Sequence, residues 1–140
     1  MKPWRFVDYV TSDGQYLFDS WYRVQDAVVR AECEVTFAIL RQTDNWENPQ
    51  IEQFRRFTKA DADSGLSEIR FYVDVPKPRK NPTRVRYRAI GIHRPTERDF
   101  VLLVGAKEWM RGYLPVDAIA TARRQKMRFE HGLGTTYERT

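Results

Sequence analysis

The chain is short of the residues that build most metal centres and covalent cross-links. Its 140 residues include one cysteine, Cys33, and two histidines, His93 and His131. A single cysteine excludes an internal disulfide and a cysteine-based metal site. Because the two histidines are also far apart in the sequence, no metal site is predicted, and their own roles stay open.

Long apolar runs are absent as well. No stretch approaches the roughly 20 apolar residues of a membrane-spanning helix, and the first residues, Met1–Arg5, lack the apolar run of a signal peptide. The sequence therefore predicts a cytoplasmic protein without a membrane contact.

Several catalytic motifs are missing. The sequence contains no recognisable Ser-His-Asp arrangement, glycine-rich phosphate loop or paired-carboxylate motif. Gly105-Ala106-Lys107 is not followed by the glycine pattern of a nucleotide-binding loop. We accordingly predict no cofactor.

The sequence does contain a surplus of positive charge. Hydrophobic residues make up 41%, aromatic residues 14% and charged residues 31%, with a net charge of +5. A chain of this length and composition forms one folded domain. A basic surface favours RNA, DNA or an acidic protein as partner, without choosing among them.

The first half of the chain predicts one strand and two helices. Trp4–Val10 alternates as a strand does, and Ile51–Thr58 is consistent with a short helix. Between them, apolar residues at spacings of four and three predict one helix of about 25 residues. We expect this stripe to face the core, with a dimer seam as the alternative, and Cys33 to lie off it; the stripe consists of Leu17, Trp21, Val24, Val28, Ala31, Val35 and Ala38.

The second half predicts an antiparallel meander followed by a helix. Period-two alternation puts Ile69, Phe71, Val73 and Val75 on one face of a strand. Strands over Arg84–His93 and Phe100–Ala106, a long basic hairpin loop over Pro76–Thr83, and a helix opening at Leu114-Pro115 complete the pattern. The predicted fold is α+β in the order β-α-α-β-β-β-α, with a domain over residues 1–131 and a loose tail over 132–140.

Arginines alternate along the middle strand of the meander. Arg84, Arg86 and Arg88 share one face, and Arg70 of the preceding strand joins them if the register allows. Two interpretations are open. The arginines form a solvated face paired with Glu68 and Asp74, which contributes little stability, or they bind phosphate, whose oxygens match the planar guanidinium.

A second basic group follows the apolar strand. Lys107 comes directly after it, and Arg111 and Tyr113 come soon afterwards. A lysine at the end of a strand is held on a rigid element and still reaches the surface. These residues either cap the sheet as a polar loop or add phosphate contacts at the rim of the arginine face.

In the order in which they occur, these segments resemble the RelE/HigB superfamily, toxins of type II toxin–antitoxin modules, and most closely its phage-derived HigB-like branch. The resemblance covers about Trp4 to Arg128 and includes Asp13-Gly14 in the first turn. It depends on the order and spacing of four motifs, which are Gly65-Leu66-Ser67-Glu68-Ile69-Arg70, Tyr87-Arg88-Ala89-Ile90, Phe100 through Lys107, and Leu114-Pro115 with its helix.

The resemblance implies both a fold and an activity. Two N-terminal helices would pack on one face of an antiparallel sheet, and the other face would form a basic concavity that binds mRNA on the ribosome. Such toxins cleave mRNA without a metal, through attack of the 2′-hydroxyl on the neighbouring phosphodiester, and a cognate antitoxin neutralises them. Positioned cations and proton carriers are what this chemistry requires.

Three residues acquire catalytic roles by the resemblance. Arg88 would hold the scissile phosphate, Arg70 would support it, and Lys107 would contact phosphate or donate a proton. Further RNA or phosphate contacts are expected from Arg84, Arg86, Arg111, Tyr113, Lys77, Arg79 and Lys80. The basic loop could equally block the usual approach of RNA.

The sequence departs from the family pattern after the apolar strand. The family commonly has Gly-Phe-x-Lys-Lys there, whereas this chain has Gly105-Ala106-Lys107-Glu108-Trp109. The acidic Glu108 would weaken an anion site beside Lys107. The departure leaves two alternatives to the nuclease, a catalytically inactive binding module on the same fold and a ParE-like toxin directed at a topoisomerase.

Overall fold

A mostly antiparallel sheet carries helices on both of its faces. The computed structural model describes residues 2–57, 65–77 and 80–140. In chain order the described elements are β1 (Arg5–Val10), α1 (Leu17–Arg23), α2 (Ala27–Arg41), β2 (Phe54–Arg56), β3 (Ser67–Lys77), β4 (Lys80–Arg94), β5 (Asp99–Trp109), β6 (Gly112–Leu114), α3 (Ala118–Glu130) and β7 (Thr135–Arg139). The chain is a single small α+β domain, which confirms the predicted fold class.

The predicted meander forms the middle of the sheet. The strand order is β2-β3-β4-β5-β1-β7, and β1 and β5 are the one parallel pair among the described strands. β6 pairs with Lys107–Trp109 of β5, along the edge where β1, which pairs with residues 99–102, has ended. No helix in the described part of the chain is long and apolar enough to cross a bilayer.

Two hydrophobic cores lie on opposite faces of the sheet. Side chains alternate over residues 100–103 of β5, so that Phe100 and Leu102 pack beneath α1 and α2, whereas Val101 and Leu103 pack beneath α3. Gly105 is where α1 meets the sheet. A Cβ atom at Gly105 would lie 2.0 Å from the Trp21 ring, so only glycine lets the helix approach this closely.

The predicted 25-residue helix is wrong in two respects. It is interrupted between Arg23 and Ala27, and most of the predicted apolar stripe faces away from the core: Val24 is 80% exposed, and Val28, Ala31, Val35 and Ala38 are exposed too. The face that α2 buries consists of Val29, Cys33, Thr36, Phe37 and Leu40. This second set contains the bulkier side chains, and burying them removes more apolar area from water. Cys33 is thus a core residue, and burial raises the pKa of its thiol to about 12.

The predicted short helix over Ile51–Thr58 is also wrong, over the described residues 51–57. Phe54–Arg56 forms β2 and pairs with Ser67–Ile69 of β3, and the backbone N–H of Arg70 donates to the Gln53 carbonyl at 2.7 Å. A helix this short has little stability of its own. Pairing with β3 instead brings Phe54 into the core, where it is buried.

The predicted hairpin loop is largely a two-stranded ribbon. β3 and β4 stay paired to Lys77 and Lys80, with one irregularity between Val75 and Lys77. Pro76, which has no N–H to donate, lies at this irregularity, and strand prolines are tolerated at such positions. Pro78 and Arg79 of the predicted loop lie outside the described residues.

The C-terminal segment is more ordered than predicted. Leu114 pairs with Lys107, so the chain stays extended and α3 begins at Ala118 instead of at Pro115. The expected loose tail contains β7, which pairs with β1. Gly134 makes the turn possible, since its φ is +77° and a Cβ atom there would lie 2.4 Å from the Val10 carbonyl oxygen.

His93 is buried in an aromatic stack at the end of β4. Its ring lies 4.9 Å from the Trp4 ring and 5.3 Å from the Trp46 ring, nearly parallel to both. Burial, with repulsion from Arg56, lowers the pKa of His93 to about 4. The Glu47 carboxylate is 3.9 Å from Nδ1 but is bonded to Arg56, so it does not stabilise a charged imidazole.

The neutral state of His93 predicts a loss of stability in mild acid. Between about pH 6.5 and pH 4 the unfolded chain binds a proton at this position and the folded chain does not, so the free energy of unfolding falls as the pH is lowered. Relative to a His93→Phe variant, the wild type should lose about 2 kcal/mol between about pH 7.5 and pH 5. Urea denaturation at the two pH values measures this. The same difference must appear in a His131→Gln background; an equal pH response of wild type and His93→Phe would contradict it.

Candidate functional site

Charged side chains from three neighbouring strands meet on the α3 face of the sheet. The register places Arg70 of β3 opposite Arg88 of β4, and Arg88 opposite Ala106 of β5. Ala106 belongs to the core beneath α3, so this whole row faces that side. We name the group the arginine–glutamate cluster; it consists of Glu68, Arg70, Arg86, Arg88 and Glu108.

Arg88 is the centre of the cluster. Its side chain is 11% exposed, and its guanidinium donates hydrogen bonds to Glu68, to Glu108 at 2.9 Å and to the Tyr113 hydroxyl oxygen at 3.1 Å. The guanidinium carbon also lies 5.1 Å from the centroid of the Tyr113 ring. Residues of β3, β5 and β6 therefore fix this arginine of β4 from several directions at once.

Glu68 joins two arginines beneath the surface. Its side chain is 3% exposed, and its second oxygen accepts a 2.8 Å hydrogen bond from Nε of Arg70. A buried carboxylate of this kind is retained only when it is paired and hydrogen-bonded. Glu68 thus holds Arg70 and Arg88 in fixed positions relative to one another.

Arg86 and Glu108 form the more open side of the cluster. Nη1 of Arg86 lies 3.4 Å from Oε2 of Glu108, whose side chain is 38% exposed. The guanidinium carbons of Arg86 and Arg84 lie 5.1 and 5.3 Å from the centroid of the Tyr72 ring. Tyr72 therefore supports two cations at the border of the cluster.

The arginines and glutamates of the cluster stabilise one another's ionised forms. The hydrogen bond from Arg88 holds the pKa of Glu108 below its usual range. Burial opposes the charge of Arg88, but Glu68 and Glu108 together raise its pKa above the ordinary value. Three guanidinium groups against two carboxylates leave the cluster with one surplus positive charge.

Lys107 does not belong to this group. It is the register partner of Tyr87, whose ring packs in the core beneath α1 and α2. Its side chain therefore leaves the sheet on the face opposite to Arg88, where its ammonium lies 5.2 Å from the centroid of the Trp109 ring. The structure thus separates Lys107 from the two arginines with which it was expected to act.

Other predicted contacts lie around the cluster. Arg84 is exposed on the ribbon and 3.4 Å from Asp74, and Arg111 is exposed in the turn between β5 and β6. Lys77 and Lys80 form the last rung of the ribbon, and Arg79 lies outside the described residues. Of the predicted site residues, the structure brings together Arg70, Arg86, Arg88 and Tyr113.

Glu108 was predicted to weaken an anion site beside Lys107, whereas in the structure it is a member of the arginine–glutamate cluster. The acid follows Lys107, so adjacency suggested that it would neutralise that lysine. Alternation sends neighbouring residues of a strand to opposite faces, which pairs Glu108 with Arg86 and Arg88 instead. Alternation places Glu108 opposite Lys107, but the face that each side chain takes depends on the irregularity between Ile90 and Gly91 in the pairing of β5 with β4, which the sequence does not show.

The cluster has the parts for anion binding and proton transfer. Fixed guanidinium groups bind phosphate oxygens. The hydrogen bond from Arg88 keeps the partly exposed Glu108 ionised at neutral pH, so it can accept a proton, and the same bond makes it a weaker base than a free carboxylate. In the described part of the chain, no group of three or more His, Cys, Asp or Glu residues is arranged to hold a metal ion. The chemistry that these side chains themselves support is acid–base chemistry on an anionic substrate.

No protein-family model, curated protein or solved structure matches the chain.

Proposed function

We propose that the protein is a toxin-like endoribonuclease that cleaves mRNA on the ribosome without a metal ion and is neutralised by a cognate antitoxin. The observation that carries the proposal is the arginine–glutamate cluster, in which an exposed carboxylate adjoins fixed guanidinium groups. The ribosome and the antitoxin come from the resemblance to RelE/HigB toxins.

The geometry suggests a role for each group. Glu108 accepts the proton of a ribose 2′-hydroxyl, whose oxygen then attacks the adjacent phosphorus. Arg70, Arg86 and Arg88 stabilise the negative charge that develops on the phosphorane oxygens. As the P–O5′ bond breaks, the Tyr113 phenol protonates the leaving oxygen, and the products are a 2′,3′-cyclic phosphate and a 5′-hydroxyl.

The architecture supports a RelE-like fold. Both N-terminal helices pack on one face of the sheet, and the cluster lies on the other, as the resemblance implies. One difference is that α3 packs on the cluster's face and covers the sheet beside it. The basic surface is therefore a patch next to a helix instead of an open concavity.

A second candidate is a binding module that cleaves nothing. It is favoured by the pairing of Arg88, whose guanidinium already contacts two carboxylates within the chain. A phosphate would have to compete with Glu68 and Glu108 for this arginine. Lys107, on the opposite face, would then serve in partner binding alone.

A carboxamide in place of Glu108 separates the two candidates. Glu108→Gln preserves size and hydrogen bonding but removes the base, so cleavage should fall about 10²- to 10⁴-fold. The measurement is cleavage of mRNA on purified ribosomes in EDTA, mapped by primer extension, together with growth after induction. Arg23→Ala, which removes an exposed arginine of α1 on the opposite face of the sheet, is the control and should retain activity.

Each result has a defined meaning. Wild-type protein that neither arrests growth nor cleaves mRNA would exclude the nuclease and leave the binding module. Full cleavage by Glu108→Gln would show that the cluster is not the active site. Cleavage abolished by EDTA would contradict the metal-free mechanism.

A further inference from the structure

A notch opens beside the cluster where β4 and β5 diverge. The two strands pair as far as Tyr87 and Lys107. Beyond that rung β4 belongs to the ribbon with β3, whereas β5 continues to Trp109 and turns back into β6. The cleft between ribbon and hairpin has a volume of about 630 Å³, within the range of about 300–1,000 Å³ that small-ligand sites occupy.

The lining combines apolar surface with positive charge. Trp109 and Met110 are 48% and 86% exposed at the mouth, and Val75 and Val85 contribute apolar surface. An exposed tryptophan next to an exposed methionine is unusual for a surface that stays in water. The charged residues of the lining are Arg84, Arg86, Lys107 and Glu108, so cations outnumber the acid.

This combination matches a nucleotide. A base presents a flat apolar face that stacks on an aromatic ring, and its phosphates are drawn to arginine and lysine. Lys107 already lies over the Trp109 ring, and Tyr72 supports the guanidinium groups of Arg84 and Arg86. An apolar peptide would use the ring and the methionine but would leave these cations without anionic partners.

The notch is continuous with the cluster. Arg86 and Glu108 line the notch and also contact one another within the cluster, 3.4 Å apart. A phosphate at Arg86 would therefore place the adjoining nucleoside at the mouth of the notch. A base can enter it only when it is unpaired and unstacked from its neighbours.

We infer that the notch is a binding site for one unpaired base of single-stranded RNA, with Trp109 as its stacking platform and Lys107 and Arg86 as phosphate contacts. The inference takes from the proposed function only that the ligand is RNA, and binding at the notch does not require cleavage. It also assigns a role to Lys107, which the cluster leaves unexplained.

Binding is tested with an RNA that cannot be cut. A fluorescein-labelled 2′-O-methyl hexanucleotide lacks the attacking hydroxyl, and its affinity for the full-length protein is read from fluorescence anisotropy. Trp109→Ala should weaken binding about 5- to 100-fold, the range expected for the loss of one base-stacking contact. Trp109→Phe should retain most of the affinity. Tyr137→Ala, which removes an exposed aromatic ring from β7 at the far edge of the sheet, should change nothing.

The dependence of Kd on salt concentration distinguishes the contribution of the Trp109 ring from that of the cations. Lys107→Ala should reduce the slope of log Kd against log salt, because one phosphate contact is lost. Trp109→Ala should keep the wild-type slope. Because the other three tryptophans are buried or half-buried, RNA should also quench the fluorescence of Trp109, and Trp109→Phe should lose this quenching.

The outcomes distinguish this inference from the proposed function. Equal affinity of wild type and Trp109→Ala, or no binding by the wild type, would overturn the notch assignment even if mRNA is cleaved. RNA binding that depends on Trp109, in a protein that does not cleave mRNA, would support the notch as a base-binding site and exclude the proposed nuclease activity.

Discussion

Replacing Glu68 with glutamine is expected to lower the free energy of unfolding by about 3 kcal/mol, because it leaves a buried charge underpaired. Glu68 bonds both Arg70 and Arg88, and it is almost fully buried. Arg88 keeps Glu108 in the variant, so the loss should fall at the lower end of the range for breaking a buried ion pair. Urea denaturation followed by circular dichroism measures the difference.

The same strand offers a matched control. Asp74 is on the same face of β3 and pairs with Arg84, but both side chains are more than half exposed. Asp74→Asn should therefore cost about 0–1 kcal/mol. Equal losses in the two variants would show that the cluster behaves like an ordinary surface ion pair.

A double variant tests the physical cause. If the cost of Glu68→Gln arises from the unpaired charge of Arg88, then adding Arg88→Met should recover part of the stability. If the second change lowers stability further, the cost arises from lost packing instead.

Replacing Arg139 with methionine should be comparably destabilising, by about 3 kcal/mol. Arg139 is the last residue of β7, and its guanidinium bonds Asp19 at 2.8 Å and Asp8 at 3.3 Å. The guanidinium carbon also lies 4.3 Å from the centroid of the Tyr22 ring. The Arg139 side chain thus links β7 to β1 through Asp8 and to α1 through Asp19.

Arg23→Met is the control for this prediction. Arg23 bonds the same carboxylate, Asp19, but is 77% exposed, so its loss should cost about 0–1 kcal/mol. Equal losses in the free energy of unfolding for Arg139→Met and Arg23→Met would show that the buried contacts of Arg139 do not hold β7 in place. Urea denaturation of both variants at neutral pH provides the comparison.

The deficit of Arg139→Met should also depend on pH. Burial raises the pKa of Asp8, and Arg139 opposes that rise. Without Arg139 the pKa of Asp8 in the folded state rises further above its unfolded value than it does in wild type, so lowering the pH stabilises the variant relative to wild type. The gap between the two proteins should therefore narrow from about pH 7 toward pH 5, and a gap that widens would contradict this account.

Strand patterns were predictable because they depend on local alternation. Ile69, Phe71, Val73 and Val75 were predicted to share one face of β3; the first three are buried in one core, and Val75, on the ribbon, is exposed. Trp4–Val10 and the meander were predicted on the same basis and are present. The helix pattern failed because α2 carries two apolar sets, and which of them is buried depends on how the helix packs on the sheet.

The site was harder to predict than the strands. Arg70 was predicted to join Arg88 if the register allowed it, and the observed register places the two opposite one another. Consecutive antiparallel strands pair in a register that their hydrophobic patterns restrict. Lys107 was misplaced by proximity in sequence, since its face depends on the pairing of β5 with β4, which includes an irregularity at Ile90/Gly91. One residue of shift sends every following side chain to the other face.

By itself, the sequence determined the α+β class, the alternating strands and the presence of several arginines on one strand face, because composition and periodicity are local properties. Only the tertiary structure decided that Glu68 and Glu108 neutralise most of that charge, that Lys107 faces the other way, and that the C-terminal residues complete the sheet through Arg139. These features depend on strand register and on contacts between residues far apart in the chain. Such contacts exist only when burial of both cores brings the strands together.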